Sequence, residues 1–199
     1  MKNIIIGMAI SAIAFTACNS GSDKPTTSQN DKAADTSTMK QQSADPASNS
    51  AKVKATVSIK EIVTGYLQLK NAFTKDNTND AATAATSLQT ALNTFDKTAL
   101  TADQKKTFED VADDAGEHAE HIGKNGGNIK HQREHFEMLS KDMYDLVKAF
   151  GADQVLYKDF CPMYNNGKGA FWISETKEIK NPYLGKAMPT CGTVKEEIK

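Results

Sequence analysis

Apolar residues recur along residues 57–150 with the period of a helix, in four blocks parted by short polar breaks. In VSIKEIVTGYLQLKNAF, residues 57–73, Ile59, Ile62, Val63, Tyr66, Leu67 and Phe73 share one stripe, the spacing of a half-buried helix. Ser58 followed by Glu61 has the spacing of a capping box at its start. After the connector DNTND, the block AATAATSLQTALNTF aligns Ala81, Ala85, Leu88, Leu92 and Phe95, and its alanines permit close helix packing. Thr101 with Gln104 opens a third block carrying Phe108, Val111, Ala112, Ala115, Ala119 and Ile122. The glycines of GKNGGN break it, and Asn128 can cap a fourth. There Ile129, Phe136, Leu139, Met143, Leu146, Val147 and Phe150 form the apolar face, and Gly151 ends the block. Four helices of about 16–22 residues on short links predict an all-α fold, an antiparallel up-down four-helix bundle. The Gly-, Asn- and Pro-rich C-terminal segment is expected to be irregular and loop-rich.

The front of the chain has no such period. Lys2 precedes an apolar run from Ile4 to Phe15, which is of signal-peptide length and short of the about 20 residues that a membrane span takes. Thr16-Ala17-Cys18 after it resembles the lipobox of bacterial lipoproteins, with Phe15 where that motif usually has Leu. The resemblance implies that residues 1–18 are a lipoprotein signal peptide and that Cys18 is lipidated; the alternative is an ordinary signal peptide with a chance cysteine. Residues 19–55 contain two prolines, no aromatic and few branched aliphatics. They cannot bury enough apolar surface to offset ordering entropy and read as a disordered tether. Asn19, rather than Asp, follows Cys18, which favours the outer membrane. The expected arrangement is an envelope protein attached to the membrane through Cys18, with a helical domain over residues 56–195 in the periplasm. With 24 basic and 25 acidic residues and no basic stripe interleaved with aromatics, nucleic acid is excluded as a partner.

The four histidines are not scattered. His118 and His121 precede the GKNGGN break, and His131 and His135 follow it. Their i, i+3 and i, i+4 spacings let each pair share a helix face. An antiparallel hairpin puts His121 and His131 at the same end. His118 and His131 read as members of solvated polar faces; for His121 and His135 a solvated face and a metal ligand are equal readings. The specific helical motif H-E-x-x-H is absent.

With Cys18 taken by lipidation, Cys161 and Cys191 remain. In an oxidising envelope two such cysteines form a disulfide or bind a metal. Each lies beside a methionine, in Cys161-Pro162-Met163 and in Met188-Pro189-Thr190-Cys191. Thiolate and thioether together are soft ligands that select Cu(I). A methionine alone is ordinarily a core filler, but its pairing with cysteine at both ends points to a common site.

The string CPMYNNGKGAFWISETKEIKNPYLGKAMPTCG, residues 161–192, resembles the C-terminal signature of the domain-of-unknown-function family DUF3347. That family occurs as envelope lipoproteins and as C-terminal domains of adaptor subunits of copper/silver-type efflux pumps. HQREHFEMLSKDMYDLVKAFG resembles the helix before the signature, and Ile173 stands where Leu is expected. The resemblance spans residues 60–195 and implies a helical bundle and soft-metal handling. Carried onto this chain, the implied ligands are Cys161, Met163, Met188 and Cys191, with His135 or His121 as an imidazole partner. Trp172, Asn181, Pro182 and Tyr183 are implied to be packing and turn residues. The expected function is copper sequestration, delivery or efflux, with a heavy-metal efflux adaptor or other envelope protein as partner. The alternative is a disulfide-stapled structural or adaptor module with no metal site. Catalysis is not expected, for no phosphate loop, nucleophile elbow or paired-carboxylate motif is present.

Overall fold

The computed structural model describes residues 57–199. The expected signal peptide over residues 1–18, the lipidation expected at Cys18 and the tether expected over residues 19–55 lie outside the described residues. The four apolar blocks are helices: α1 Lys60–Thr74, α2 Thr78–Asn93, α3 Ala102–Lys124 and α4 Ile129–Phe150. Each packs on the next in sequence, and α1 also meets α4 along a short stretch. The α1 stripe from Ile59 to Phe73 is buried, as are Leu88, Phe108, Phe136, Leu139 and Met143. Phe95, which ends the second block, stacks on Phe108 at 4.6 Å between ring centroids.

Helix starts follow the capping residues with one exception. Thr101 and Gln104 form the reciprocal capping box of α3, and Asn128 accepts from the His131 amide at α4. Asn77 caps α2 by accepting from the Asp80 amide. At α1 no side chain caps the helix, and Ser58 makes no capping box with Glu61. The Ser58 hydroxyl instead donates to Asp153 at 2.7 Å and accepts from the Lys60 amide. A tertiary partner has displaced the local one. Gly151, at φ 78°, closes α4 with its amide on the Val147 carbonyl, a left-handed backbone that glycine adopts without penalty.

The C-terminal segment corrects the all-α, loop-rich expectation. It contains three strands, β1 Leu156–Cys161, β2 Ala170–Ser174 and β3 Thr193–Ile198, in an antiparallel sheet of order β2-β1-β3. Cys161 lies opposite Ala170, Asp159 opposite Trp172, and Leu156 opposite Ile198, with an irregularity between Lys158 and Asp159 on the β3 side. The protein is therefore mostly helical, with a small sheet. β2 packs on α4 and α1, where Trp172 is fully buried. The residues between β2 and β3 are irregular apart from a 3-10 turn at Gly185–Ala187.

Candidate functional sites

Two groups of donor atoms stand apart in this fold. The first is the thiol pair. Cys161 ends β1 and is fully buried; Cys191, partly exposed, lies just before β3. Because β3 pairs with β1, the chain returns to the end of β1 and brings the two Sγ atoms to 2.9 Å. Both are free thiols. Contact with Cys161 and partial burial push the Cys191 thiol up, opposed by a hydrogen bond from the Met163 amide. The turn carrying Cys191 is held by Asn181. Its side-chain amide donates to the Cys191 carbonyl at 2.6 Å, and its own carbonyl oxygen accepts from the amides of Tyr183 and Leu184. The Asn181 backbone amide donates to the Pro189 carbonyl. Asn181-Pro182-Tyr183 thus acts as a turn and packing element.

Met163 and Met188 lie on the segments that carry the thiols. Besides the Met163 amide, the Met188 carbonyl reaches Cys191, accepting from its amide at 3.2 Å. The two residues are 59% and 41% exposed. Neither fills the core, the place taken by fully buried Met143.

The second group is formed by the histidines. The α3–α4 turn folds the two helices together, and all four rings meet. His121 and His135 stack with centroids 4.3 Å apart, and His131 approaches His135 edge-on at 4.6 Å. One nitrogen from each of His121, His131 and His135 lies within 4.8 Å of the others. His118 Nδ1 is 3.3 Å from His135 Nδ1. Partial burial, with a further contribution from the neighbouring rings, lowers the basicity of His118 and His135. Glu117 lies 3.7 Å from His121, and Glu134 lies 3.6 Å from His131. His118 and His131, read from spacing as solvated-face residues, are partly buried members of this cluster. Only closure of the hairpin reveals it.

The structure brings Cys161 to Cys191 and His121 to His135, but as separate groups. Among the described residues, no cysteine joins the imidazole cluster. The reason lies in α4. Arg133, two residues from both His131 and His135, points to the other side of the helix at about 100° per residue. There its Nε donates to the Pro182 carbonyl at 2.7 Å. The face of α4 that meets the Asn-Pro-Tyr turn is thus opposed to the face that carries the imidazoles.

A buried polar group also stands out that the sequence reading did not single out. Lys70, fully buried, pairs with Glu175 at 2.7 Å, and Asn71 donates to the same carboxylate. Burial lowers the Lys70 ammonium. It also pushes Glu175 upward, but the Lys70 and Asn71 hydrogen bonds outweigh it and hold that carboxyl low. The available signal was a lysine between Tyr66 and Phe73 on an apolar stripe.

These features define a helix-rich domain with a small C-terminal sheet, a dithiol and an imidazole cluster. Residues 62–155, a little under half of the chain, match the family model described as "Protein of unknown function (DUF3347)", and over those residues the chain is similar to that family. The match takes in the histidines and ends just before β1, leaving both cysteines beyond it. No curated protein and no solved structure matches the chain.

Proposed function

We propose that this chain is a lipid-anchored envelope protein that binds a soft metal ion, Cu(I), for sequestration or delivery to an efflux partner. In this reading it is a binding protein rather than an enzyme. Cys18 is the anchor, residues 19–55 are the tether, and the four helices form an antiparallel up-down bundle that carries the sulfur-bearing segment. The observation that supports it is the arrangement of sulfurs. Two free thiols meet at 2.9 Å, and the two adjoining methionines are exposed residues instead of core ones. Cys161, Cys191, Met163 and Met188 make a donor set whose softness selects Cu(I) over harder ions.

Two thiolates on one ion stand about 3.8 Å apart, for bonds of about 2.3 Å at a tetrahedral angle. Binding therefore requires the pair to open by about 1 Å on the same geometry. Cys191, on its turn, supplies that movement more readily than Cys161, which is fixed in β1 against Ala170. Because both cysteines must lose their protons to bind, loading releases protons.

Anaerobic titration with Cu(I) against a chromogenic chelator tests the reading. One ion should bind with an affinity that falls about 100-fold or more in Cys161→Ser/Cys191→Ser, and about 10-fold in Met163→Leu/Met188→Leu. Unchanged affinity in the double cysteine variant would overturn it.

The same 2.9 Å contact favours a second reading, in which the thiols serve as a staple. Loss of two protons and two electrons to an envelope oxidant joins them and closes a loop of about 30 residues, worth roughly 3–4 kcal/mol on a chain-entropy basis. Thiol counting on protein taken from the envelope separates the two. Two titratable thiols favour the metal site, and a bridge that resists mild reductant favours the staple.

A further inference from the structure

We infer that the imidazoles between α3 and α4 form a second metal site, independent of the sulfurs, which takes a divalent first-row cation of the zinc or Cu(II) type through His121, His131 and His135. The inference does not depend on Cu(I) binding at the cysteines.

Convergence is the first argument. A solvated helix face accounts for histidines at i, i+3 or i, i+4 on one helix. It does not account for two such pairs, on separate helices, aimed at each other across a hairpin. The hydrophobic contacts of this end are made by Ala115, Ala119 and Ile122, which are fully buried, so the rings are not required as core. Distance is the second argument. Nitrogens sharing one tetrahedral ion stand about 3.3 Å apart for bonds near 2.05 Å. Three of these donors already lie within 4.8 Å of one another, so side-chain rotation alone can bring them onto an ion.

The surroundings suit a cation. His121 and His131 each have a carboxylate within 4 Å, Glu117 and Glu134 respectively, which favours positive charge at the cluster. His118 meets His135 through their Nδ1 atoms. It can therefore fix the His135 ring and leave the remaining nitrogen for the ion, as the outer partners of metal-bound imidazoles do. His121 and His131 are partly exposed, giving an entry path from solvent. An all-nitrogen donor set suits zinc, copper and nickel, whereas the thiol–thioether set suits Cu(I). The two groups are thus chemically as well as spatially distinct.

Isothermal titration of the purified chain with Zn2+, and electron paramagnetic resonance of the Cu2+-loaded Cys161→Ser/Cys191→Ser chain, which has no thiol pair to reduce Cu2+ to Cu(I), test the site. One equivalent should bind, with hyperfine structure from coordinated imidazole nitrogens. His121→Gln/His131→Gln should weaken Zn2+ binding about 100-fold, and His118→Gln about 10-fold. Cys161→Ser/Cys191→Ser should leave it within about threefold, since those residues belong to the other donor set. All three substituted histidines are partly exposed, and the resonance experiment leaves every histidine in place, so misfolding of a histidine variant cannot mimic the result. A Cu2+ spectrum without imidazole nitrogen, or Zn2+ affinity that follows the cysteines instead of the histidines, would overturn the inference. Cu(I) affinity is read separately, by the chelator competition, so failure here leaves the sulfur site to its own test.

Discussion

At the level of single residues, Asp159 carries a clear electrostatic tension. It is fully buried in β1, and neither carboxylate oxygen has a hydrogen-bond partner. Opposite it across the sheet, the Trp172 indole nitrogen is also buried and unpartnered. Burial pushes the Asp159 carboxyl up to about 7, Lys70 draws it down, and Glu175 raises it further. An unfolded aspartate releases its proton near pH 3.9. Folding is therefore favoured by this group below about pH 4, and the contribution is lost as pH rises towards about 7. Between about pH 5 and about pH 8 the loss amounts to roughly 2–3 kcal/mol. Asp159→Asn removes it. Denaturant unfolding at both pH values should show wild type losing that much stability relative to the variant, and parallel pH dependences would refute the assignment. Histidine titration is common to both proteins and cancels in the comparison.

Among the elements, the helices are legible in the sequence and the strands are not. Each helix announces itself by its own apolar stripe, which needs no knowledge of the rest of the chain, and Thr101 and Asn128 mark starts that the structure keeps. β1 reads Leu-Tyr-Lys-Asp-Phe-Cys, with Asp159 at a buried position and a register irregularity beside it. The alternation that identifies a strand is therefore broken, and pairing with residues up to about 40 positions away decides the structure instead. The candidate sites divide in the same way. Counting cysteines is enough to couple Cys161 with Cys191, whereas the four-histidine cluster requires the hairpin, and the burial of Lys70 requires its partner Glu175, 105 residues away. One helix contact makes a sharp prediction. A Cβ at Gly65 would lie 3.0 Å from Leu88 Cα, a backbone atom that cannot turn aside. Gly65→Ala should thus push α1 from α2 and destabilise by about 1–2 kcal/mol, although alanine is the better helix former. At Gly116 in α3 an added Cβ meets nothing within 4 Å, so Gly116→Ala should stabilise by up to about 1 kcal/mol. Thermal unfolding of the pair checks both signs, and a shift in the same direction for both would contradict the packing argument.

For the whole molecule, the question is whether the helices stand without the sheet. The family match ends at residue 155, which suggests a natural boundary, but the packing argues against one. α1 and α4 meet only briefly, and β2 lies against both. Across that junction the Tyr66 hydroxyl, bonded to Ser140 of α4, accepts from the Ile173 amide of β2 at 3.0 Å. The ring of Tyr183 packs 5.5 Å from Phe136, and its hydroxyl donates to the Phe171 carbonyl. Arg133 fastens the same loop by bonding Pro182, Phe73 and Asp76 together. Removing residues 156–199 would take the Ile173 amide from Tyr66, the Pro182 carbonyl from Arg133 and the Glu175 carboxylate from Lys70 at once, and uncover Phe136 where Tyr183 packs on it. Unsatisfied buried polar groups and exposed aromatics cost most when they fall on one surface. A chain ending at Val155 should retain helical far-ultraviolet dichroism but lose the near-ultraviolet signal and bind a hydrophobic dye, the marks of a molten globule. A sharp thermal transition with intact near-ultraviolet dichroism would show instead that the four helices close on themselves and that the sheet is an appendage carrying the thiols.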